Sequence, residues 1–187
     1  MIDRNQILND FQTFFVSREI SISPIIADIL DFCETIIKKN LRGLNYSISI
    51  SYGKRILINS KDSILSKISQ EDILEIVEYD PIKNIVLVIG KKYPSSDTPI
   101  HWIIQKARDD INAIVKISNK KLYDICINKF PIIEDINHHS DIEKSKSILK
   151  KLQVTKNLCI KDNEVLLTGF QLKEIKDLLI SIFEVLK

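Results

Sequence analysis

The chain has 187 residues, of which 44% are hydrophobic and 28% are charged, a balance that is ordinary for one globular domain with a buried core. Its 27 Lys and Arg residues nearly cancel its 25 Asp and Glu residues, so the net charge of +2 gives no reason to expect nucleic acid or an anionic membrane as a partner. The N-terminus lacks the apolar core of a signal peptide, and no apolar run is long enough to cross a bilayer. We therefore expect a cytoplasmic protein.

Apolar residues at helical spacing mark the beginning of the chain. They predict helices over residues 4–17 and 22–40, the second starting near Ser23 and Pro24 because proline is favoured in a first helical turn. From residue 45 the apolar residues alternate instead, which predicts half-buried strands. These strands cover residues 45–51, 54–60, 73–80 and 84–92, with a short turn or helix over residues 66–73.

Helices and strands alternate in the second half of the chain. A helix over residues 98–109, with Thr98 as its cap and Pro99 in its first turn, precedes a buried strand over residues 112–118. Further helices are predicted over residues 141–152 and 171–186, and further strands over residues 122–127, 131–134, 157–161 and 164–169. Hairpins covered by helices predict a largely antiparallel sheet with helices on its faces. The absence of a glycine-rich βα turn excludes dinucleotide-binding and P-loop folds.

The chain has three cysteines, Cys33, Cys126 and Cys159. Their number is odd, they are widely spaced, and they fit no CxxC pattern that would indicate a metal or redox site. We interpret them as small buried hydrophobic residues.

Ser95, Ser96 and Asp97 form a polar cluster directly ahead of the predicted helix 98–109. Free backbone N–H groups at a helix start, joined by two hydroxyls, can cradle a phosphate, and Asp97 can act there as a base or a metal ligand. The same residue types are also preferred helix caps, so a plain capping cluster explains them without a ligand. His101, one turn into the helix, either packs against its surroundings or orients Asp97.

Other polar residues have two interpretations each. Asn45, at a strand start, either donates its amide to a substrate oxygen or belongs to a turn. Lys61 and Asp62 follow a strand and either place an ammonium near an anion or form a charged turn. His138 and His139 are neighbours in a loop, where adjacent side chains diverge, so we interpret them as solvated loop residues rather than metal ligands.

Taken in order, these segments resemble the class II aldolase/adducin family over most of the chain from about residue 41. The most specific segment, PSSDTPIHWIIQKARDDINAIV, resembles the family's Pro-Ser-Ser-Glu-x-x-x-His helix and the Ala-Val-Val strand that follows it. Residues 43–47 resemble the Gly-Asn-hydrophobic-Ser start of its first hairpin, and residues 58–62 fall where the family has Ile-Thr-Pro-Ser-Gly. The C-terminal segment NLCIKDNEVLLTGFQLKEI resembles its Leu-Leu-x-Asn-His-Gly segment, last strand and last helix.

The resemblance implies a three-layer α/β/α fold whose central, mainly antiparallel sheet is covered by helices. It implies one domain over residues 1–187, in which N-terminal helices over residues 1–40 precede a family core over residues 41–187. It also implies a homotetramer with sites between subunits, and a proton-transfer role for Asp97, where the family has Glu. The positions that correspond to the family's phosphate site are Asn45, Lys61, Ser95 and Ser96.

Three histidines hold zinc in that family, and the corresponding positions of this sequence are Lys116, Ser118 and Asn163. An ammonium repels a metal ion, and a hydroxyl and an amide are weak zinc ligands. Asp97 is also one methylene shorter than the family's Glu, which changes its reach. We therefore predict no cofactor, and a non-catalytic or regulatory protein that binds a phosphorylated or anionic metabolite.

Two enzymatic hypotheses remain open, both for an aldehyde-lyase or epimerase acting on a sugar phosphate. In the first, a buried Lys116 with a lowered pKa forms a Schiff base with a carbonyl substrate. In the second, zinc is retained by His101, His138 and His139, which are the chain's three histidines. The sequence alone does not decide between loss of catalysis and changed chemistry.

Overall fold

The computed structural model describes residues 11–38, 45–134 and 140–184. Within these residues the strands are β1 (Gln12–Ser17), β2 (Asn45–Tyr52), β3 (Arg55–Asn59), β4 (Ile73–Asp80), β5 (Ile85–Ile89), β6 (Ala113–Ser118), β7 (Ile132–Ile133), β8 (Asn157–Ile160) and β9 (Glu164–Gly169). The helices are α1 (Ile26–Lys38), α2 (Thr98–Ala107), α3 (Lys120–Cys126), α4 (Asp141–Leu152) and α5 (Leu172–Glu184). Two short 3₁₀ helices, Leu65–Lys67 and Gln70–Asp72, precede β4.

All of these strands join one sheet in the order β1-β5-β4-β3-β2-β6-β9-β8-β7. Neighbouring strands in the middle of the sheet run antiparallel, and the two edge pairs, β1 with β5 and β7 with β8, run parallel. A parallel pair needs a long crossover between its strands, and α4 supplies one between β7 and β8. The sheet is therefore mixed. The sequence predicted a mainly antiparallel sheet, which holds for its middle but not for its two edge pairs.

Helices pack on both faces because side chains alternate along each strand. On one face, apolar residues such as Ile48, Val115 and Leu167 pack into a core that includes residues of α1, α3 and α5. On the other face, Ile114 and Leu166 pack into a core with residues of α2 and α4. The result is an α/β fold, and the face covered by α2 and α4 carries the polar residues described below.

Most predicted elements are confirmed. The confirmed elements are α1, α2, α4, α5 and β2 through β9, and α4 matches its predicted bounds in full. The Ser140 hydroxyl accepts a hydrogen bond from the Glu143 N–H at 3.3 Å and caps α4, as its position before the helical pattern predicts. The three cysteines are buried as expected, and burial raises the pKa of Cys33 to about 12. No helix in the described ranges is both long and apolar enough to cross a bilayer.

Two predicted elements have the wrong type. Residues 12–17 of the predicted first helix form β1, because Phe15 packs into a core on one side of the strand while the backbone pairs with β5. The rest of that predicted helix lies outside the described residues. Residues 122–127 were predicted as a strand, but α3 covers most of them and buries Leu122 and Cys126, which are four residues apart on one helical face.

Two finer predictions are also corrected. The N-cap of α2 is Asp97 rather than Thr98, and Thr98 is the first helical residue. Strand β2 is buried on both faces rather than half-buried, because α2 covers its serine-bearing face and leaves Ser47 and Ser49 fully inaccessible to solvent. The second correction matters most, since these two serines belong to the candidate site.

Candidate functional site

A buried ionic cluster lies between the sheet and helices α2 and α4. The Lys116 Nζ on β6 is 2.6 Å from the Asp97 Oδ1 at the start of α2 and 2.7 Å from the Glu164 Oε1 on β9. The side chains of Lys116, Asp97 and Glu164 are only 10%, 15% and 19% exposed. The Lys144 ammonium on α4 approaches the second oxygen of Glu164 at 3.7 Å. Lys116 thus forms ion pairs with two carboxylates, and all three side chains are largely buried.

Backbone contacts explain why Asp97 points toward the sheet. The Ser95 N–H donates to the Asn59 carbonyl at 3.1 Å, which ties the segment before α2 to the end of β3. The Asp97 carboxylate does not cap its own helix and instead accepts a hydrogen bond from the Ser47 hydroxyl on β2 at 2.8 Å. The carboxylate therefore has an acceptor role in the cluster rather than in capping the helix.

His101 lies behind Asp97 and has no solvent exposure. Its Nε2 is 3.0 Å from the Ser47 Oγ, and its Nδ1 is 2.7 Å from the Ser49 Oγ. Because the Ser47 hydroxyl proton goes to Asp97, the Ser47 oxygen accepts from Nε2–H, and Nδ1 then accepts from Ser49. Burial lowers the pKa of His101 to about 4 against the opposing effect of Asp97, so the imidazole is neutral at pH 7.

The charges of the cluster hold one another in their ionised forms. Burial alone would raise the pKa of Asp97, but Lys116, His101 and the Ser47 hydroxyl together bring that pKa below its ordinary value. Burial alone would lower the pKa of Lys116, but Asp97 and Glu164 raise it above its ordinary value. The pKa of Lys116 is therefore raised, the opposite direction from the one that the Schiff-base hypothesis assumes.

A separate cleft of about 440 Å³ opens beside this cluster. It is lined by Phe11, Thr13, Lys61, Asp62, Tyr93, Pro94 and Ser96. The structure therefore brings together two of the four residues predicted to bind phosphate, Lys61 and Ser96, and both are exposed. Ser95 lies next to the cleft but is buried and accepts a hydrogen bond from the Asp97 N–H at 3.3 Å, and Asn45 lies apart at the start of β2.

Comparison with known proteins identifies the family. The sequence pattern of the class II aldolase and adducin N-terminal domain matches residues 27–121, just over half of the chain. The chain belongs to the class II aldolase and adducin family. A search of curated protein sequences finds no match.

Solved structures share the class II aldolase fold. An L-fuculose 1-phosphate aldolase matches with a TM-score of 0.69 and 16% identity, covering 89% of this chain and 86% of that one. The L-fuculose-1-phosphate aldolase from Thermus thermophilus matches with a TM-score of 0.67 and 14% identity over 86% and 90% of the two chains. A sugar-phosphate aldolase from Thermotoga maritima gives 0.64 and 14% over 85% and 90%. At these identities the likeness shows a common fold.

The three positions that the family resemblance assigns to zinc ligands lie on β6 and in the turn between β8 and β9. Lys116 is paired with two carboxylates, Ser118 ends β6, and Asn163 lies in the turn between β8 and β9 with a φ of +67°. The ammonium, hydroxyl and amide of these residues are a poor donor set for zinc. Within residues 11–38, 45–134 and 140–184, no three His, Cys, Asp or Glu side chains are grouped to hold a metal ion. His138 and His139 lie outside the described residues.

Sequence reasoning missed several residues that build the cluster and the neighbouring loop. The missed residues are Ser47, Ser49, Asn59, Lys144 and Glu164. The alternating serines of NYSISIS are the one signal that could have found two of them, since a strand with serines on one face needs polar partners if that face is buried.

Asn59 holds the start of the loop that carries Lys61. Its Oδ1 accepts from the Ile48 N–H at 2.7 Å, and its Nδ2 donates to the Ser63 Oγ at 2.9 Å and to the Ser60 carbonyl at 3.1 Å. Only 2% of Asn59 is exposed. The amide therefore fixes the backbone from which Lys61 reaches the cleft.

Proposed function

We propose that this protein has lost the zinc-dependent aldol cleavage of its family and binds a phosphorylated or anionic metabolite in a non-catalytic or regulatory role. The observation that carries the proposal is the clamping of Lys116 by Asp97 and Glu164 at 2.6 and 2.7 Å. A positive charge is built into the protein at a position where the family has a zinc ligand. Two carboxylates already neutralise it.

The remaining donors do not offer zinc a second arrangement. Retaining zinc through histidine would require His101, but serine hydroxyls occupy both of its ring nitrogens at 2.7 and 3.0 Å. A catalytic zinc site needs about three protein ligands. Without His101, the other two histidines of the chain, His138 and His139, fall short of that number.

The cleft beside the cluster supports binding of an anion. Lys61 supplies a positive charge and Ser96 a hydroxyl, and both groups are free to contact a ligand in a space of about 440 Å³. Two of the similar structures are L-fuculose 1-phosphate aldolases, and the phosphorylated sugar in their name supports a phosphate group as the anion. In this proposal Ser95 positions the segment that carries Ser96, whereas Asn45, which does not line the cleft, has no contact with the ligand. The protein is taken to be a cytoplasmic homotetramer without nucleic-acid or membrane partners.

An active sugar-phosphate aldolase or epimerase is the alternative, with Asp97 and Lys116 as its catalytic residues. A Schiff base needs a neutral amine, and the raised pKa of Lys116 keeps this amine protonated at pH 7. Borohydride trapping with ketose 1-phosphates distinguishes the two functions. We expect no adduct at Lys116, whereas a trapped adduct would establish the enzymatic alternative.

Metal analysis tests the first half of the proposal. We expect the purified, untagged protein to contain far less than one equivalent of zinc per chain after exposure to zinc and dialysis. One retained equivalent that is lost in a His101→Asn variant would contradict the proposal.

Thermal melting tests the second half, with inorganic phosphate and sugar 1-phosphates as probes. A ligand at ten times its Kd stabilises a protein by about 1.4 kcal/mol, which raises the Tm of a chain of this size by roughly 3–6 °C. We expect Lys61→Gln and Ser96→Ala to remove most of this shift. Lys67→Gln, another exposed lysine outside the cleft, is the matched control. An unchanged shift in Lys61→Gln would place the anion elsewhere.

A further inference from the structure

A second and larger cleft, of about 670 Å³, lies between α1, α5 and the turn that joins β2 to β3. Ile50 and Ser51 border it from the end of β2, whereas Ser47 and Ser49, nearer the start of that strand, face the ionic cluster on the other side of the sheet. It shares no lining residue with the 440 Å³ cleft that contains Lys61. It is therefore a separate site, and its chemistry is independent of the function proposed above.

The walls of this cleft carry equal numbers of opposite charges. Asp28 and Asp31 on α1 form one wall, and Lys173 and Lys176 on α5 form the other. Asp31 and Lys176 pair directly at 2.6 Å and so neutralise each other. Asp28 and Lys173 also line the cleft, but neither has an ion pair or a side-chain hydrogen bond with any residue that the structure describes. One carboxylate and one ammonium thus remain available on the two sides.

Apolar side chains supply the remaining recognition surface. Phe32 and Ile50 line the cleft and are 2% and 8% exposed. Phe170 lies at the start of the segment leading into α5, and 54% of it is exposed. An aromatic ring with so much exposed area gains free energy when a ligand covers it.

We propose that this cleft binds a free α-amino acid with a large apolar side chain. The ligand's ammonium pairs with Asp28, its carboxylate pairs with Lys173, and its side chain covers the exposed ring of Phe170. The cleft has no net charge from its four ionised side chains, which matches a zwitterion better than a ligand that carries only one charge. Its volume lies within the range of small-molecule sites, which run from about 300 to 1,000 Å³.

Calorimetry with the full chain tests the proposal, with L-leucine and L-phenylalanine as probes. Isoamylamine, which lacks the carboxylate, and 4-methylpentanoate, which lacks the ammonium, are the matched analogues of leucine. We expect each analogue to bind about tenfold more weakly than leucine or worse, because one charge contact is lost. Equal binding of leucine and either analogue would overturn the proposal, as would no heat with either amino acid at millimolar concentration.

Two variants locate the binding. Asp28 and Lys173 are exposed and unpaired with described residues, so Asp28→Asn and Lys173→Gln leave the fold intact. Each is expected to weaken leucine binding by about tenfold. Asp177→Asn and Lys150→Gln, which change exposed charges outside the cleft, serve as matched controls and leave it unchanged. Lys61→Gln also leaves leucine binding unchanged, which separates this result from the anion test. Leucine binding that survives both Asp28→Asn and Lys173→Gln would overturn the proposal.

Discussion

The Lys116 cluster and the Lys61 cleft both place a lysine near the start of α2. The two lysines differ in burial and in ion pairing. Lys116 is 10% exposed and contacts two carboxylates within 2.7 Å. Lys61 is exposed, and no ion pair to it is found among the described residues. A lysine whose charge is already neutralised stabilises the fold, whereas a free lysine is available to a ligand.

The difference indicates which of the two lysines is available to a ligand. A buried charge costs several kcal/mol to desolvate, so the cluster is stable only while its partners remain in place. An exposed lysine stays hydrated without a partner, so its removal changes the free energy of unfolding little. The two sites therefore respond differently to mutation and to pH.

The largest expected effect comes from removing Lys116. Lys116→Met keeps much of the side-chain volume but leaves Asp97 and Glu164 buried without their shared cation. Loss of one partner of a buried pair costs about 3–5 kcal/mol, which urea unfolding at pH 7 measures. Lys67→Met is the exposed control and is expected to change the free energy of unfolding by less than about 0.5 kcal/mol. A loss below about 1 kcal/mol in Lys116→Met would mean that the cluster is not the closed unit described here.

The next effect is the pH dependence that His101 gives to the folded state. Its pKa is about 4 in the folded protein, below the ordinary value near 6.5 of an unfolded chain. The unfolded state therefore binds the proton first, and the stabilisation is complete above pH 6.5 and is lost as the pH falls toward 4. The full difference corresponds to about 3 kcal/mol.

Urea unfolding between pH 4 and pH 7 measures this dependence. His101→Asn removes the titrating ring and should flatten the curve in that range. The pKa of Asp97 is also depressed, so its contribution is lost only at lower pH, as the carboxylate is protonated in the folded state. Unchanged curvature in His101→Asn would assign the dependence to another group.

A smaller effect is expected from Ser47. Ser47→Ala removes the donor to Asp97 and the acceptor for His101 Nε2, and leaves both groups buried with one partner fewer. Leaving buried polar groups unpaired costs about 1–3 kcal/mol. Ser51→Ala, on the same strand but outside the cluster, is the control. Equal unfolding midpoints for the two variants would show that the Ser47 contacts do not stabilise the fold.

Local patterns were sufficient for most of the fold. The α4 pattern had both a cap and a clear helical spacing, and β6 begins with three consecutive apolar residues, Ala113 to Val115. Strand β1 was missed because FQTFF fits a helical face as well as a strand, and only its pairing with the distant β5 decides the outcome. Helix α3 was missed for the same reason, since its seven residues, KKLYDIC, are too few to distinguish the helical from the strand period.

The site was harder to predict than the fold because its contacts join distant parts of the chain. Family resemblance located Asp97 and Lys116, but the pairing of Lys116 with Glu164 joins residues that are 48 positions apart. The partners Ser47 and Ser49 lie on a strand whose alternation indicates a solvent-facing side. Only the packing of α2 on that side reveals that both hydroxyls are buried. Sequence periodicity gives the face of a residue, and tertiary packing decides what covers it.

The smallest expected effect on stability belongs to Lys61, and it completes the contrast with Lys116. Lys61→Gln should change the free energy of unfolding by less than about 0.5 kcal/mol, because an exposed lysine without an ion pair stabilises the fold little. The same variant should lose most of the melting shift that phosphate or a sugar 1-phosphate produces. Unfolding in urea and thermal melting with ligand, measured on one preparation, separate the two quantities. A large loss of stability in Lys61→Gln would show that this lysine is structural as well, and the division between a closed cluster and an open cleft would fail.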